Sequence, residues 1–307
     1  MRASVASQLV HAVLLCTLLG SGVASAGPLR DAIEARQAAR AEKNDAGPRS
    51  GLPAGSQVRR DISYGAASLQ RFDVYLPAHA QSAPVILMVH GGGWREGDKR
   101  NSPVVDNKAA HYLAKGYIFA STNYRLIPDA DPIEQARDVA RALAAVQSQA
   151  ANWGGDPTQV VLMGHSAGAH LVALLATDAT LSAGVVATPW LGTVALDSAA
   201  YDIEKIMQAR HLPLYDRAFG KDEALWKAAS PINAVTAATR PLLAVCSTRR
   251  DDSCAQVELF AAKANGLGVK TQVIRKDYSH RQINELLGAD AGYTAEVDGF
   301  LAGLGLH

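Results

Sequence analysis

The chain has 307 residues, 48% hydrophobic and 19% charged, an ordinary composition for a globular protein long enough to bury a large core. Its formal net charge is +1, and without the first 26 residues, whose one Lys, Arg, Asp or Glu is Arg2, acidic and basic side chains balance. That balance argues against a polybasic nucleic-acid surface and an acidic tail, and the composition excludes disorder of the whole chain.

Residues 1–26 read as an export signal. Arg2 lies near the start, residues 9–19 are apolar, and Ala24-Ser25-Ala26 before Gly27 has the small-x-small form of a cleavage site. The apolar stretch is shorter than the roughly 20 residues that span a membrane. The expectation is export, to a periplasm or the outside. Cleavage leaves two cysteines, Cys246 and Cys254. An oxidising compartment permits a disulfide between them; two buried free thiols are the alternative. Residues 27–57, polar and rich in Ala, Arg, Gly and Pro, read as a linker before one folded domain over 58–307.

Within that domain two strand-like runs, 58–64 and 71–76, are joined by a Gly-containing turn and predict an antiparallel hairpin. Residues 85–89 are continuously apolar, as in a strand buried on both faces of a parallel sheet. Helical and strand patterns then alternate: helix 104–115, strand 117–122, helix 132–151, strand 160–163, helix 167–177 and strand 191–196. Strand 242–246, helix 255–265, strand 271–274 and a last helix near 281–304 continue the alternation. The pattern predicts an α/β fold, a mostly parallel sheet with helices on both faces. Residues 198–235 break it, with Tyr201, Tyr215, Phe219, Trp226 and Pro231, and read as a small inserted cap.

Gly164-His165-Ser166-Ala167-Gly168 is a G-x-S-x-G motif between an apolar strand and a helical segment. A sharp turn there needs glycine on both sides of the serine. It lifts the Ser166 hydroxyl out at the end of the sheet, beside a helix N-terminus that favours negative charge. His90-Gly91-Gly92-Gly93-Trp94 directly follows the strand 85–89. Consecutive glycines let backbone N–H groups converge on an oxyanion, so Gly92, Gly93 and, after the nucleophile, Ala167 are the candidate donors. His90 is read as a structural hydrogen-bonding partner of the loop, His165 as packing beside the elbow, and His170 as a core group.

On this arrangement the chain order is serine, acid, histidine. His280 and the terminal His307 alone follow the last strand, and His280 is the candidate base. The acid is sought after strand 242–246, where Asp251 and Asp252 both stand. A Cys246–Cys254 bridge would close a short loop around either. No CxxC, HExxH, P-loop ending or G-x-G-x-x-G before a helix is present, so neither metal nor cofactor is expected.

HGGGWREGDK, Asn123–Leu126 (NYRL), Trp153-Gly154-Gly155-Asp156-Pro157 and GHSAGAH together resemble α/β-hydrolases, from about residue 58 to the C-terminus. The motifs are similar to hormone-sensitive-lipase-like esterases, the bifunctional feruloyl/acetyl xylan esterase group and kynurenine formamidases. The resemblance implies no cofactor and no metal. An Asp-Ser pair after the seventh strand resembles the formamidase-like branch, which selects Asp252 over Asp251 as the acid. The loop VCSTRRDDSC departs from the more usual Gly-containing loop there.

The function this implies is hydrolysis of a carboxylic ester of a short or medium acyl or aryl-acyl group through an acyl-enzyme. The partner would be a small-molecule or polysaccharide-linked ester, with no nucleic acid, and no membrane once the signal is cleaved. An arylformamidase acting on an N-formyl amide is the alternative, set back by the export signal. A non-catalytic binding protein of this fold is the third reading, opposed by the full set of serine, histidine, acid and oxyanion loop.

Overall fold

The computed structural model describes residues 51–306, so the expected export signal and most of the expected linker lie outside the described residues. Among the described residues eight strands form one sheet in the order β1-β2-β4-β3-β5-β6-β7-β8. β1 (Gln57–Ser63) and β2 (Arg71–Leu76) form the expected antiparallel pair, and β2 runs antiparallel to β4 (Ile118–Thr122). β3 (Ala83–Val89), β5 (Gly155–His165), β6 (Gly192–Leu196), β7 (Leu242–Ser247) and β8 (Thr271–Lys276) are parallel, as is the β3–β4 pair.

The unbroken apolar runs serve two cores at once. Side chains alternate along a strand. On β3, Val85, Leu87 and Val89 enter one hydrophobic layer, and Ile86 and Met88 enter the other. On β5, Val160 and Leu162 face the first layer, and Val161 and Met163 the second. α2 (Pro132–Ala150) and α3 (Ala167–Thr177) contribute to the first layer. α1 (Ser102–Ala114) lies in the second, with the C-terminal helices, and Leu52, within the expected linker, also packs there. A third apolar cluster joins α8 (Ser253–Gly266) to β6, β7 and α3.

The inserted segment contains α4 (Ile203–Met207), α5 (Pro213–Phe219), α6 (Glu223–Ala228) and α7 (Pro231–Ala234). Its Ile203, Tyr215, Ala218, Phe219 and Ala229 belong to the first layer, so the cap is anchored to the core. The expected single C-terminal helix is instead two, α9 (His280–Glu285) and α10 (Ala291–Ala302). Gly288 between them has φ +93°, and a Cβ there would lie 2.2 Å from the Asn107 carbonyl oxygen. The break therefore allows this turn to pack against the backbone of α1.

A buried charge cluster ties the glycine-rich loop to the sheet. Asp73, on β2 and fully buried, pairs with Lys99 at 2.9 Å and Arg100 at 2.7 Å. It also accepts the Asp61 N–H at 2.8 Å. Lys99 and Arg100 follow the HGGGW segment, so β2 anchors the far end of that loop. Removing one partner strands buried charge. We expect Asp73→Ala to cost about 3–5 kcal/mol of unfolding free energy, measured by urea denaturation.

Candidate functional site

The C-terminal ends of the parallel strands bring the chemistry together. Val89 pairs with Gly164, His165 with Leu196, and Leu196 with Val245. The residues that follow β3, β5, β6 and β7 consequently emerge along one edge. Ser166 follows β5 with φ 57° and ψ −119°, an uncommon backbone conformation for a side-chain-bearing residue. Its N–H donates to the Leu196 carbonyl at 3.0 Å, and its carbonyl accepts the His170 N–H at 3.1 Å. The turn is thus held by β6 on one side and by the first turn of α3 on the other.

The glycine-rich loop lies against this serine. A Cβ on Gly91 would be 2.8 Å from Ser166 Cβ, so only a bare backbone fits. Gly92 has φ +120°, and a Cβ there would meet the Glu96 carbonyl oxygen at 1.8 Å. The Gly92 carbonyl accepts the Arg95 and Glu96 N–H groups at 3.2 and 3.0 Å, closing the loop on itself. Gly91 thus abuts Ser166, and the expected oxyanion donors Gly92, Gly93 and Ala167 stand directly after these two residues in the chain.

His90 has the structural role expected of it. Its Nδ1 is 2.7 Å from the Gly91 carbonyl, and its ring stacks on Tyr124 at 4.5 Å. His165 donates from Nε2 to the His280 carbonyl at 3.0 Å, and the two rings lie 4.5 Å apart. His170 joins three elements. From α3 it accepts the Trp94 Nε1–H at 3.1 Å and donates to the Ala229 carbonyl of the cap at 2.8 Å. Trp94, just past the glycines, also packs on Tyr215 and Phe219 of α5, with ring centroids 5.8 and 5.0 Å away.

His280 begins α9, whose N-terminus is fixed by a capping box between Ser279 and Gln282. Its Nδ1–H donates to Asp197 Oδ2 at 2.6 Å. This corrects the expectation for Asp252. Asp252 is half exposed and pairs with Arg250 at 3.2 Å; Asp251 is also exposed. Asp197 directly follows β6, is fully buried, and has φ 53°. The parallel register places the end of β6 beside both the elbow and β7, so this carboxylate reaches His280. The available signal was an aspartate immediately after an apolar strand. The expected acid lies one strand further on, after β7.

Asp197 is held by more than His280. Oδ1 accepts the Ser247 N–H at 2.8 Å and the Ser253 hydroxyl at 2.5 Å, and Arg250 Nη1 lies 3.1 Å from Oδ2. Burial works to raise the Asp197 pKa. Hydrogen bonds from His280, Ser253 and Ser247 and the Arg250 charge outweigh it and hold the carboxyl well below the usual carboxylate range. Cys246 and Cys254 are joined in a disulfide. An ionised acid bonded to Nδ1–H leaves Nε2 of His280 as the proton acceptor.

The sheet order, the elbow after β5 and a histidine after β8 bonded to a buried aspartate define an α/β-hydrolase fold. The BD-FAE family model matches residues 72–258, and the chain belongs to that family. It is 31% identical over 229 residues to esterase LipQ of Mycobacterium tuberculosis, covering 69% of this chain and 53% of that protein. It is 35% identical over 118 residues to the isoprenylcysteine alpha-carbonyl methylesterase of Arabidopsis thaliana (38% and 27%), and 31% identical over 154 residues to kynurenine formamidase of Danio rerio (50% and 49%). The chain thus spans between about a quarter and a half of these relatives' lengths. Among solved structures, esterase B from Lactobacillus Rhamnosis superposes with TM-score 0.68 at 22% identity, covering 89% of this chain and 93% of that one. A truncated carbohydrate esterase from gut microbiota gives 0.69 at 19%, covering 83% and 99%.

Two predictions follow from the geometry. Asp197→Asn should lower kcat for an ester substrate by about 10⁴-fold, because an amide favours the wrong imidazole tautomer. Asp252→Asn should cost at most about fivefold, as the loss of a surface ion pair would. Steady-state kinetics on both variants checks the pair.

Acid stability is set in part by two buried histidines. Burial, reinforced by the neighbouring His280, lowers the His165 pKa to about 3, and burial lowers that of His170 to about 4. An unfolded histidine takes up its proton near about 6.5. Below that pH the unfolded chain binds more protons than the folded one, so stability falls as pH drops from about 6.5 towards about 4. Gln at position 170 keeps an acceptor and a donor without titrating. His170→Gln should therefore lose less stability than wild type between pH 7 and pH 5, read as the shift in urea midpoint.

Proposed function

We propose that this chain is a serine esterase that cleaves carboxylic esters of short or medium acyl or aryl-acyl groups. The observation that carries the reading is the hydrogen bond between buried Asp197 and His280, whose ring lies 4.5 Å from that of His165, the chain neighbour of a serine on a strand-to-helix elbow that a polyglycine backbone touches. Ser166 Oγ attacks the ester carbonyl carbon while His280 Nε2 takes the hydroxyl proton. The carbonyl oxygen becomes an oxyanion and is met by the N–H groups of Gly92, Gly93 and Ala167. Collapse expels the alcohol, which receives the proton from His280. Water, deprotonated by His280, then attacks the acyl-enzyme and frees the acid and Ser166.

Membership of the BD-FAE family and the esterase relatives support ester over amide. Trp94, just past the glycines, is buried against Tyr215 and Phe219 and so ties the cap to the end of the oxyanion loop. Action outside the cytosol is part of the proposal. It is supported by residues 1–26 and by the Cys246–Cys254 disulfide, a bond of oxidising compartments.

The test assays wild type and Ser166→Ala on p-nitrophenyl acetate, p-nitrophenyl butyrate, methyl ferulate and N-formyl-kynurenine. We expect ester turnover in the wild type and a fall of about 10⁵-fold or more in Ser166→Ala. Turnover of N-formyl-kynurenine alone would replace the esterase reading with the formamidase one. Ester turnover that survives in Ser166→Ala would overturn both.

A further inference from the structure

The disulfide closes a loop of seven residues, 247–253, between the end of β7 and the start of α8. Three residues of this loop donate to the Asp197 carboxylate. The Ser247 N–H and the Ser253 hydroxyl both bond to Oδ1, at 2.8 and 2.5 Å. Arg250 Nη1 approaches Oδ2 at 3.1 Å and is itself held by Asp252 at 3.2 Å. The same loop reaches the histidine side. Ser247 Oγ donates to the Tyr278 carbonyl at 2.6 Å, two residues before His280.

A carboxylate bonded at one oxygen can rotate about its Cβ–Cγ bond. Two donors on Oδ1 remove that freedom and leave Oδ2 facing the imidazole. Those donors come from separate elements: Ser247 ends β7, and Ser253 is the first residue of α8. Cys246 and Cys254 are their chain neighbours, and the bridge holds the two Cα atoms 5.1 Å apart. The bond thus fixes the strand end and the helix start at the spacing the shared carboxylate oxygen requires. Ser253 is fully buried, so its hydroxyl serves Asp197 and not the solvent.

We propose that the disulfide-closed loop is a positioning device for the acid, in which the Ser253 hydroxyl orients Asp197 and thereby sets the rate of the chemical step. Ser253 touches no reacting atom; it acts through Asp197 and His280. The proposal rests on the serine-esterase reading. A positioning role of this kind lowers kcat and spares KM, because the substrate-binding surface is untouched.

The experiment measures kcat and KM for p-nitrophenyl acetate with the oxidised wild type, the fully reduced wild type, Ser253→Ala, Ser253→Thr and Asp197→Asn. Thiol titration verifies reduction, and circular dichroism verifies the fold at the assay temperature. Ser253→Ala should lose about 10-fold or more in kcat with KM changed by less than about twofold. Ser253→Thr, which restores a hydroxyl, should recover most of the loss. The reduced wild type should fall in kcat in the same direction while its circular dichroism spectrum is kept. Wild-type kcat in folded Ser253→Ala would overturn the proposal, as would a loss carried by KM. Should Ser253→Ala not fold, the reduced wild type decides, and an unchanged kcat there overturns it. Asp197→Asn separates the two levels. Full activity in Asp197→Asn sinks the triad reading itself; an inactive Asp197→Asn beside a fully active Ser253→Ala sinks this inference alone.

Discussion

A carboxylate buried at the end of a central strand is tolerated only where its charge is fully met, and the site depends on how Asp197 meets that condition. An ionised group without partners would lose its charge on burial. Here His280, Ser247, Ser253 and Arg250 together supply donors to both oxygens. The acid therefore stays ionised where solvent does not reach it. Its bond to Nδ1 fixes the tautomer of His280, which leaves Nε2 free to accept a proton. The elbow, the oxyanion loop and the helix carrying His280 all take their use from that one pair.

The sheet makes the pair available. Parallel strands end along one edge, and the register β3–β5–β6–β7 sets the glycine loop, Ser166, Asp197 and Ser247 side by side. The loops leaving that edge are then pinned by groups that do no chemistry. Asp73 holds Lys99 and Arg100 behind the glycines. His170 joins Trp94 to the cap through a neutral imidazole that donates at one nitrogen and accepts at the other. The cap is thereby continuous with the oxyanion loop, and its Tyr215 and Phe219 form part of the same core layer as Trp94.

Most of the architecture was legible in the chain because it is written in local patterns. The apolar runs 85–89 and 160–163, the helical spacing of 132–151 and the break at 198–235 each reflect burial period, which depends on near neighbours in sequence. The C-terminal helix was legible only in part. Gly288 divides it because of a close approach to the backbone of α1, and that contact lies about 180 positions away in the chain.

The same division runs through the site. Ser166, the glycine-rich loop and His280 were determined by the sequence alone, since each lies in a motif or at a strand end whose geometry follows from adjacent residues. The acid was decided by tertiary structure. Asp251 and Asp252 follow a strand as Asp197 does, and all three offer the same functional group. What separates them is the pairing of β6 between β5 and β7, which directs Asp197 into the protein under His280 and leaves Asp252 at the surface beside Arg250. Hydrogen bonding between groups 83 positions apart is a property of how strands are ordered in the sheet, and residue type at a single position carries no record of that order.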